Sequence, residues 1–253
     1  GRVGATVALG CALALSLSAY FWGSRIALRS MRAYPVSEAD HARLTALVRE
    51  VATTMRLPMP AVYVSPTACP NAFTTGRNPR RAAICVTEGL LSLLNRRELK
   101  AVLAHELAHV ANRDVLVASV AAALASMIMW AAQLVWLVPF GRSDDDDANP
   151  IGALLLLVLG PVAAMLLQAA VSRSREYEAD RLAAQVTGDP LALAEALQRL
   201  DDATRSLPLP PDPGLRSTAA LMIANPFRSR GFIQLFSTHP STRRRIARLR
   251  ALA

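Results

Sequence analysis

Residues 105–109 read His-Glu-Leu-Ala-His, two imidazoles four residues apart with a carboxylate beside the first. On a helix, residues i and i+4 share a face, so His105 and His109 can offer two nitrogens to one divalent ion. Glu106 then stands beside the open coordination position, where a general base works in zinc hydrolases. The surrounding Leu99, Ala101, Val102, Leu103, Leu107, Ala108 and Val110 favour a helix over this stretch. A catalytic zinc takes three protein ligands and keeps one position for water. His41 and His239 are the other histidines of the chain, and several carboxylates are available. The best third-ligand candidate is Glu-Tyr-Glu-Ala-Asp at 176–180, whose Glu176 and Asp180 again lie four apart. One of the two can bind the ion. The other can accept the free N–H of a ligand histidine, which fixes its tautomer.

Elements far apart in sequence must bring these residues together. Three runs carry no charged residue: Val3–Ser24, Val115–Gly141 and Ala148–Ser172. Each is long enough for a membrane span, which needs about 20 apolar residues. The HExxH helix ends just before the second run, and Glu176 follows just after the third. An out-and-back pair of spans returns the chain to the same side, so the two helices can stand side by side. Arg25, Arg29 and Arg32 follow the first run and SRSRE follows the third, whereas the intervening loop holds four aspartates and one arginine. Basic flanks mark the cytoplasmic side. The expected organisation is therefore a transmembrane helix at 1–24, a cytoplasmic part at 25–114 with the HExxH helix, and a second span at 115–141. An acidic external loop at 142–147, a third span at 148–172 and a cytoplasmic helical part at 173–253 complete it.

Composition agrees. The 253 residues are 53% hydrophobic and 19% charged, with mean hydropathy +0.28; soluble domains run near 45–50% and about 25%. The net charge of +9 comes almost wholly from arginine, Lys100 being the one lysine, and the arginines are scattered. No concentrated basic face for nucleic acid is expected. Spans without internal ionisable residues disfavour a transporter. Three cysteines make no closed disulfide framework; Cys11 lies in an apolar run, and Cys69 and Cys85 lack metal-pair spacing, so reduced thiols are expected, with the part around Cys69 and Cys85 facing the cytosol. Periodicity predicts helices over Val36–Leu57, Arg97–Asn112, Arg173–Thr187, Pro190–Ser206 and Ser241–Leu252. Ala61–Val64, Asn71–Thr75 and Ala82–Thr87 read as strands, the last two joined at Gly76-Arg-Asn-Pro. The fold class is mainly α with an α+β, zincin-like part holding a small antiparallel sheet, fused to transmembrane helices.

Four stretches together resemble the HtpX-type membrane zinc metalloproteases, related to the CAAX prenyl proteases. They are PNAFTTGRNPRRAAICVTEGLL at 70–91, LAHELAHVANRD at 103–114, SRSREYEAD at 172–180 and FSTHPSTRRRIARL at 236–249. HExxH alone is shared by many families; the set of four, in this order around the spans, is specific. The resemblance implies one zinc per chain on His105, His109 and Glu176, with Glu106 as base; Asp180 is then left, by its spacing, to support a ligand histidine. It implies an inner-membrane, multi-pass enzyme of protein quality control under stress, cleaving misfolded or damaged membrane proteins at the cytoplasmic face. Members of that family usually carry a further hydrophobic helix ahead of the first run. The chain begins at Gly1 rather than Met, so a preceding segment is expected in the longer protein.

The tetrahedral oxyanion of peptide hydrolysis needs a second partner. His239, before a proline at the start of the last helix, is the candidate. Arg173 and Arg175 are weaker ones, better read as membrane-flank anchors. Asn71, Ala72, Phe73 and Thr74 are expected to form an edge strand to which an extended substrate peptide adds. Asn112 and Asp114 read as capping and packing residues that close the HExxH helix. Arg243–Arg250 reads as a solvated helix face. The expected partners are unfolded or membrane protein substrates and the lipid bilayer. Two rival readings are a CAAX-type processing protease and a catalytically silent scaffold that zinc holds together.

Overall fold

The computed structural model describes residues 2–134, 150–206, 223 and 240–253. Helix α1 (Arg2–Ser30) leads into a short strand β1 (Tyr34–Pro35) and α2 (Ala42–Thr54). Strands β2 (Ala61–Ser65), β3 (Ala72–Thr75) and β4 (Ala83–Thr87) follow, and α3 (Glu88–Leu93) leaves the last of them. Then come α4 (Arg96–Ala111), α5 (Asp114–Leu134), α6 (Pro150–Thr187), α7 (Pro190–Ser206) and α8 (Thr242–Arg250). The helix expected over 36–57 starts only at Ala42, because Val36 instead donates its N–H to Val62 and extends the sheet. The acidic loop at 142–147, the end of the second run and the segment at 207–222 lie outside the described residues.

The sheet is mixed, not antiparallel as the strand pattern suggested. Its order is β1-β2-β4-β3, with β2 and β4 parallel and the other two pairs antiparallel. The reason is topological. Strand β3 turns back on β4 as a hairpin, so β4 runs in the direction of β2 and inserts beside it, leaving β3 at the edge. Apolar residues of β2 and β4 (Val62, Val64, Ile84, Val86) join Leu44, Leu47, Val48 and Val51 of α2 and Val102, Leu103 and Leu107 of α4 in one core. Leu193, Leu197 and Leu200 of α7 and Ile246 and Leu249 of α8 close it. A second cluster of Ala27, Met31, Cys69, Phe73 and Cys85 fastens the end of α1 to the sheet.

Helix α4 has a defined start. The Asn95 side chain accepts from Glu98 N–H and the Glu98 carboxylate accepts from Asn95 N–H, each at 3.0 Å. Two otherwise open amide donors are thereby satisfied. Its end is a sharp corner: Arg113 adopts φ 54°, and α5 departs at 55° to α4. Helix α6 is unbroken from Pro150 to Thr187 and packs on both α5 and α4. One rigid rod therefore carries the third apolar run directly into the Glu176 segment. Among the described residues no single helix is long and apolar enough to cross a membrane; α4 and the first part of α5 meet that measure only as a bent pair.

The β3–β4 hairpin turns through Gly76, whose φ is +116°. A Cβ built there would stand 2.3 Å from the Arg81 carbonyl oxygen, a backbone atom with nowhere to move. Gly76→Ala is expected to lower stability by about 1–3 kcal/mol, read as a drop in melting temperature; unchanged melting would mean that the turn relaxes freely.

Candidate metal centre

Helix α4 presents His105 and His109 one turn apart, and α6 lays Glu176 across from them. Atoms of the three side chains lie within 4.8 Å of one another. The two Nε2 atoms are 3.2 Å apart. Glu176 Oε2 is 3.6 Å from His105 Nε2, and its Oε1 is 3.6 Å from His109 Nε2. Tetrahedral ligands at about 2.0–2.1 Å from zinc stand about 3.3 Å apart, so this donor set fits such an ion.

The outer nitrogens are held as well. His105 Nδ1 lies 3.0 Å from Asp180 Oδ1, and His109 Nδ1 lies 2.5 Å from Asp114 Oδ2. With each Nδ1 turned to a carboxylate, each Nε2 faces the centre, where a bound ion would take its lone pair. The spacing of Glu176 and Asp180 left their roles interchangeable; the structure sets Glu176 against both Nε2 atoms and Asp180 behind His105. Asp114, expected only to cap and pack, is the matching support of His109.

Burial makes this cluster electrostatically demanding. Glu106, Glu176, Asp180 and Asp114 are 1%, 5%, 4% and 6% exposed. Burial pushes the Glu106 carboxyl above its ordinary value, with the two histidines pulling the other way. Burial alone would lower the His109 pKa, yet Asp114, Glu176 and Glu106 raise it to about 9. The carboxylates thus call for positive charge at the centre of the group.

Arg245 of α8 supplies part of it. Its Nε and one terminal nitrogen grip Asp180 at 2.8 and 2.7 Å, and its other nitrogen lies 3.2 Å from Glu176 Oε2. Burial would raise the Asp180 carboxyl, but Arg245 and His105 overcome it and hold it at about 2. Arg245 is 2% exposed, which corrects the reading of Arg243–Arg250 as a solvated face. The signal was present in the sequence. Residue 245 precedes Leu249 by four and adjoins Ile246, so it shares the buried face of α8.

The edge-strand residues converge on the same place. Thr74 donates its hydroxyl to the Glu106 carbonyl and carboxylate, both at 3.1 Å. Asn71 and Phe73 are 1% and 0% exposed and belong to the packing beneath. The Asn71 carbonyl accepts from Thr87 N–H. By the alternation of an antiparallel ladder, Ala72 and Thr74 therefore turn their main-chain groups away from β4. At Ala72 both are engaged, the N–H by Asn71 Oδ1 and the carbonyl by Ile223 N–H. Arg175 donates to the Asp114 carbonyl at 2.6 Å, tying α6 to the start of α5. His239 lies outside the described residues.

The family described as peptidase family M48 matches residues 38–253. A protease HtpX homolog of Kineococcus radiotolerans is 54% identical over 247 residues, covering 95% of this chain and 84% of that relative. One from Thermococcus sibiricus is 46% identical, over 96% and 84%. Among solved structures, Ste24p of S. mikatae superposes with a TM-score of 0.63 at 17% identity, covering 97% of this chain and 58% of that longer one. The likeness to Ste24p is one of fold.

Removing the buried guanidinium would leave Asp180 and Glu176 without the cation they share. Arg245→Met is expected to cost about 3–5 kcal/mol of stability, the usual result of deleting one partner of a buried ion pair. Melting of the metal-free protein checks this, and an unshifted midpoint would show that Arg245 does not balance the cluster.

Proposed function

The chain belongs to peptidase family M48, and from that membership we propose a membrane-integrated zinc endopeptidase that cuts misfolded or damaged proteins at the cytoplasmic face of the inner membrane. It is a metalloendopeptidase with protein substrates. The observation that carries the finer reading is the His105–His109–Glu176 group with Glu106 buried beside it. His105, His109 and Glu176 would hold the zinc. When bound, it supplies the Lewis acidity that polarises a peptide carbonyl and acidifies a water.

The chain's own residues do the rest. Glu106 takes the proton of the attacking water on its carboxylate and returns it to the leaving amine. Thr74 fixes the carboxylate through Oε2. An extended substrate adds to the β3 edge at Thr74, the position where outward main-chain groups stand beside Glu106. Ala72 is already paired and does not serve. His239 remains the proposed partner of the oxyanion.

Membrane integration is supported by where the apolar side chains point. Leu17, Phe21 and Trp22 of α1, Val120, Leu124 and Met127 of α5, and Leu159 and Leu166 of α6 are all exposed. A patch of that extent on three neighbouring helices suits lipid better than water. With the arginine flanks, it supports spans at 1–24, 115–141 and 148–172 and a cytoplasmic centre.

Glu106→Gln is expected to keep zinc at one per chain and to lower casein cleavage by at least about a thousandfold, whereas Glu176→Ala is expected to lose the metal. Metal analysis beside a cleavage assay separates the two. Cleavage by Glu106→Gln at the wild-type rate would overturn its role, and a metal-replete chain that cuts nothing would favour the silent scaffold.

A further inference from the structure

A cavity of about 430 Å³ opens from the metal centre into the helices that carry the apolar runs. At one end it meets His109, Glu176 and Thr74; at the other it is walled by α5 and α6. The α5 wall includes Ala118, Ala121 and Ala122, spaced three and four apart so that they share one face, with Val115 and Ser119 beside them. The α6 wall is Gln168 and Val171, again on one face. Elsewhere α5 carries large side chains such as Leu116, Val120 and Leu124, and these are exposed. Small residues on the face toward the cavity leave room for it. Its size falls within the roughly 300–1,000 Å³ range of ligand pockets. Arg175 also lines it, and its Nε is buried without a hydrogen-bond partner among the described residues, while its terminal nitrogen is held by the Asp114 carbonyl.

We propose that this cavity is the specificity pocket of the enzyme. It takes a large apolar side chain of the substrate next to the scissile bond, and Ala118 and Ala122 set its depth. The proposal rests on the peptidase reading above and names the substrate class for that site: segments rich in Leu, Phe or Met, such as a folded protein keeps buried and an unfolded one exposes. The occupant is a substrate side chain rather than a lipid tail because the cavity is continuous with the His109 and Glu176 side chains of the metal centre and with Thr74, whose outward main-chain groups have no partner among the described residues. A bulky side chain there lies within one residue of the bond to be cut.

The test uses the whole zinc-loaded chain in detergent and a peptide series with Ala, Leu or Phe placed in turn on each side of one scissile bond. Cut sites are assigned by mass spectrometry. The wild type is expected to prefer Leu or Phe over Ala at one position by about tenfold or more in kcat/KM, the range apolar pockets give. Ala122→Phe should bring the Phe-to-Ala ratio to one or below. Val171→Ala, which enlarges the pocket instead of filling it, should raise the ratio for a naphthylalanine peptide. Leu124→Phe, on the outer face, serves as the control with the wild-type ratio. A second readout does not depend on turnover. In the Glu106→Gln background, binding of a fluorescent Phe-bearing peptide should weaken at least about tenfold when Ala122→Phe is added. Equal ratios in wild type and both pocket variants, or unchanged binding, overturn the pocket, as does displacement of a bound acyl chain from it without effect on peptide. Loss of all cleavage in the metal-loaded wild type would overturn the peptidase reading instead, and the binding arm would still judge the pocket.

Discussion

Four buried carboxylates crowd around two imidazoles, and the rest of this structure depends on how that charge is balanced. Glu106, Glu176, Asp180 and Asp114 come from two helices and the corner between α4 and α5, and each is almost sealed from water. Ionised carboxylates are costly in such surroundings unless cations meet them. Arg245 brings one permanent positive charge and is held by Asp180 on its far side and Glu176 on its near side. One guanidinium does not balance four carboxylates. A divalent ion between His105, His109 and Glu176 brings the cluster much closer to neutral, and the histidine Nε2 atoms already face that point. The same charge balance that makes a metal welcome makes Glu106 a tunable acid, since its burial and its neighbours act in opposite directions on its proton.

The scaffold explains why the pieces stay in place. Helix α4 begins at a reciprocal cap and ends at a corner set by Arg113, so the two histidines sit at its last turns with little freedom to fray. Helix α6 reaches them as a continuous rod. Helix α8, anchored by Ile246 and Leu249 in the main core, delivers Arg245 to Asp180 and Glu176. The centre is thus held by three helices packed with the sheet in one core, and the cavity beside it runs between α5 and α6.

Much of this was legible in the sequence because helical spacing is local information. His105 with His109, and Glu176 with Asp180, each announce a shared face. What spacing could not decide was which carboxylate turns toward the ion, because both sit on that face and the choice depends on the approach of α4. Asp114 was misjudged since its partner is fixed by the corner at Arg113, a backbone feature no periodicity reports. Arg245 was hidden in a run of arginines, although Ile246 and Leu249 marked the buried side of its helix. The sheet was misread because alternation shows that strands exist and which face they bury, but not their order. Parallel pairing of β2 with β4 follows from an insertion that only the three-dimensional path reveals.

The pairing of Ala72 bears on selectivity. A long exposed strand edge would let the enzyme hold any extended chain through main-chain bonds, with little regard to side chains. Here Asn71 and Ile223 occupy the outward groups of Ala72, and the edge that remains near Glu106 is short. Few main-chain bonds provide modest binding. Discrimination must then fall on a side-chain pocket, and the small residues of α5 provide one beside the metal centre. The proposed cleavage of misfolded proteins fits such a division. On that proposal, folded proteins would be spared because their apolar side chains are buried and their strands already paired, and an unfolded segment would offer both a free backbone and the side chain that fills the cavity.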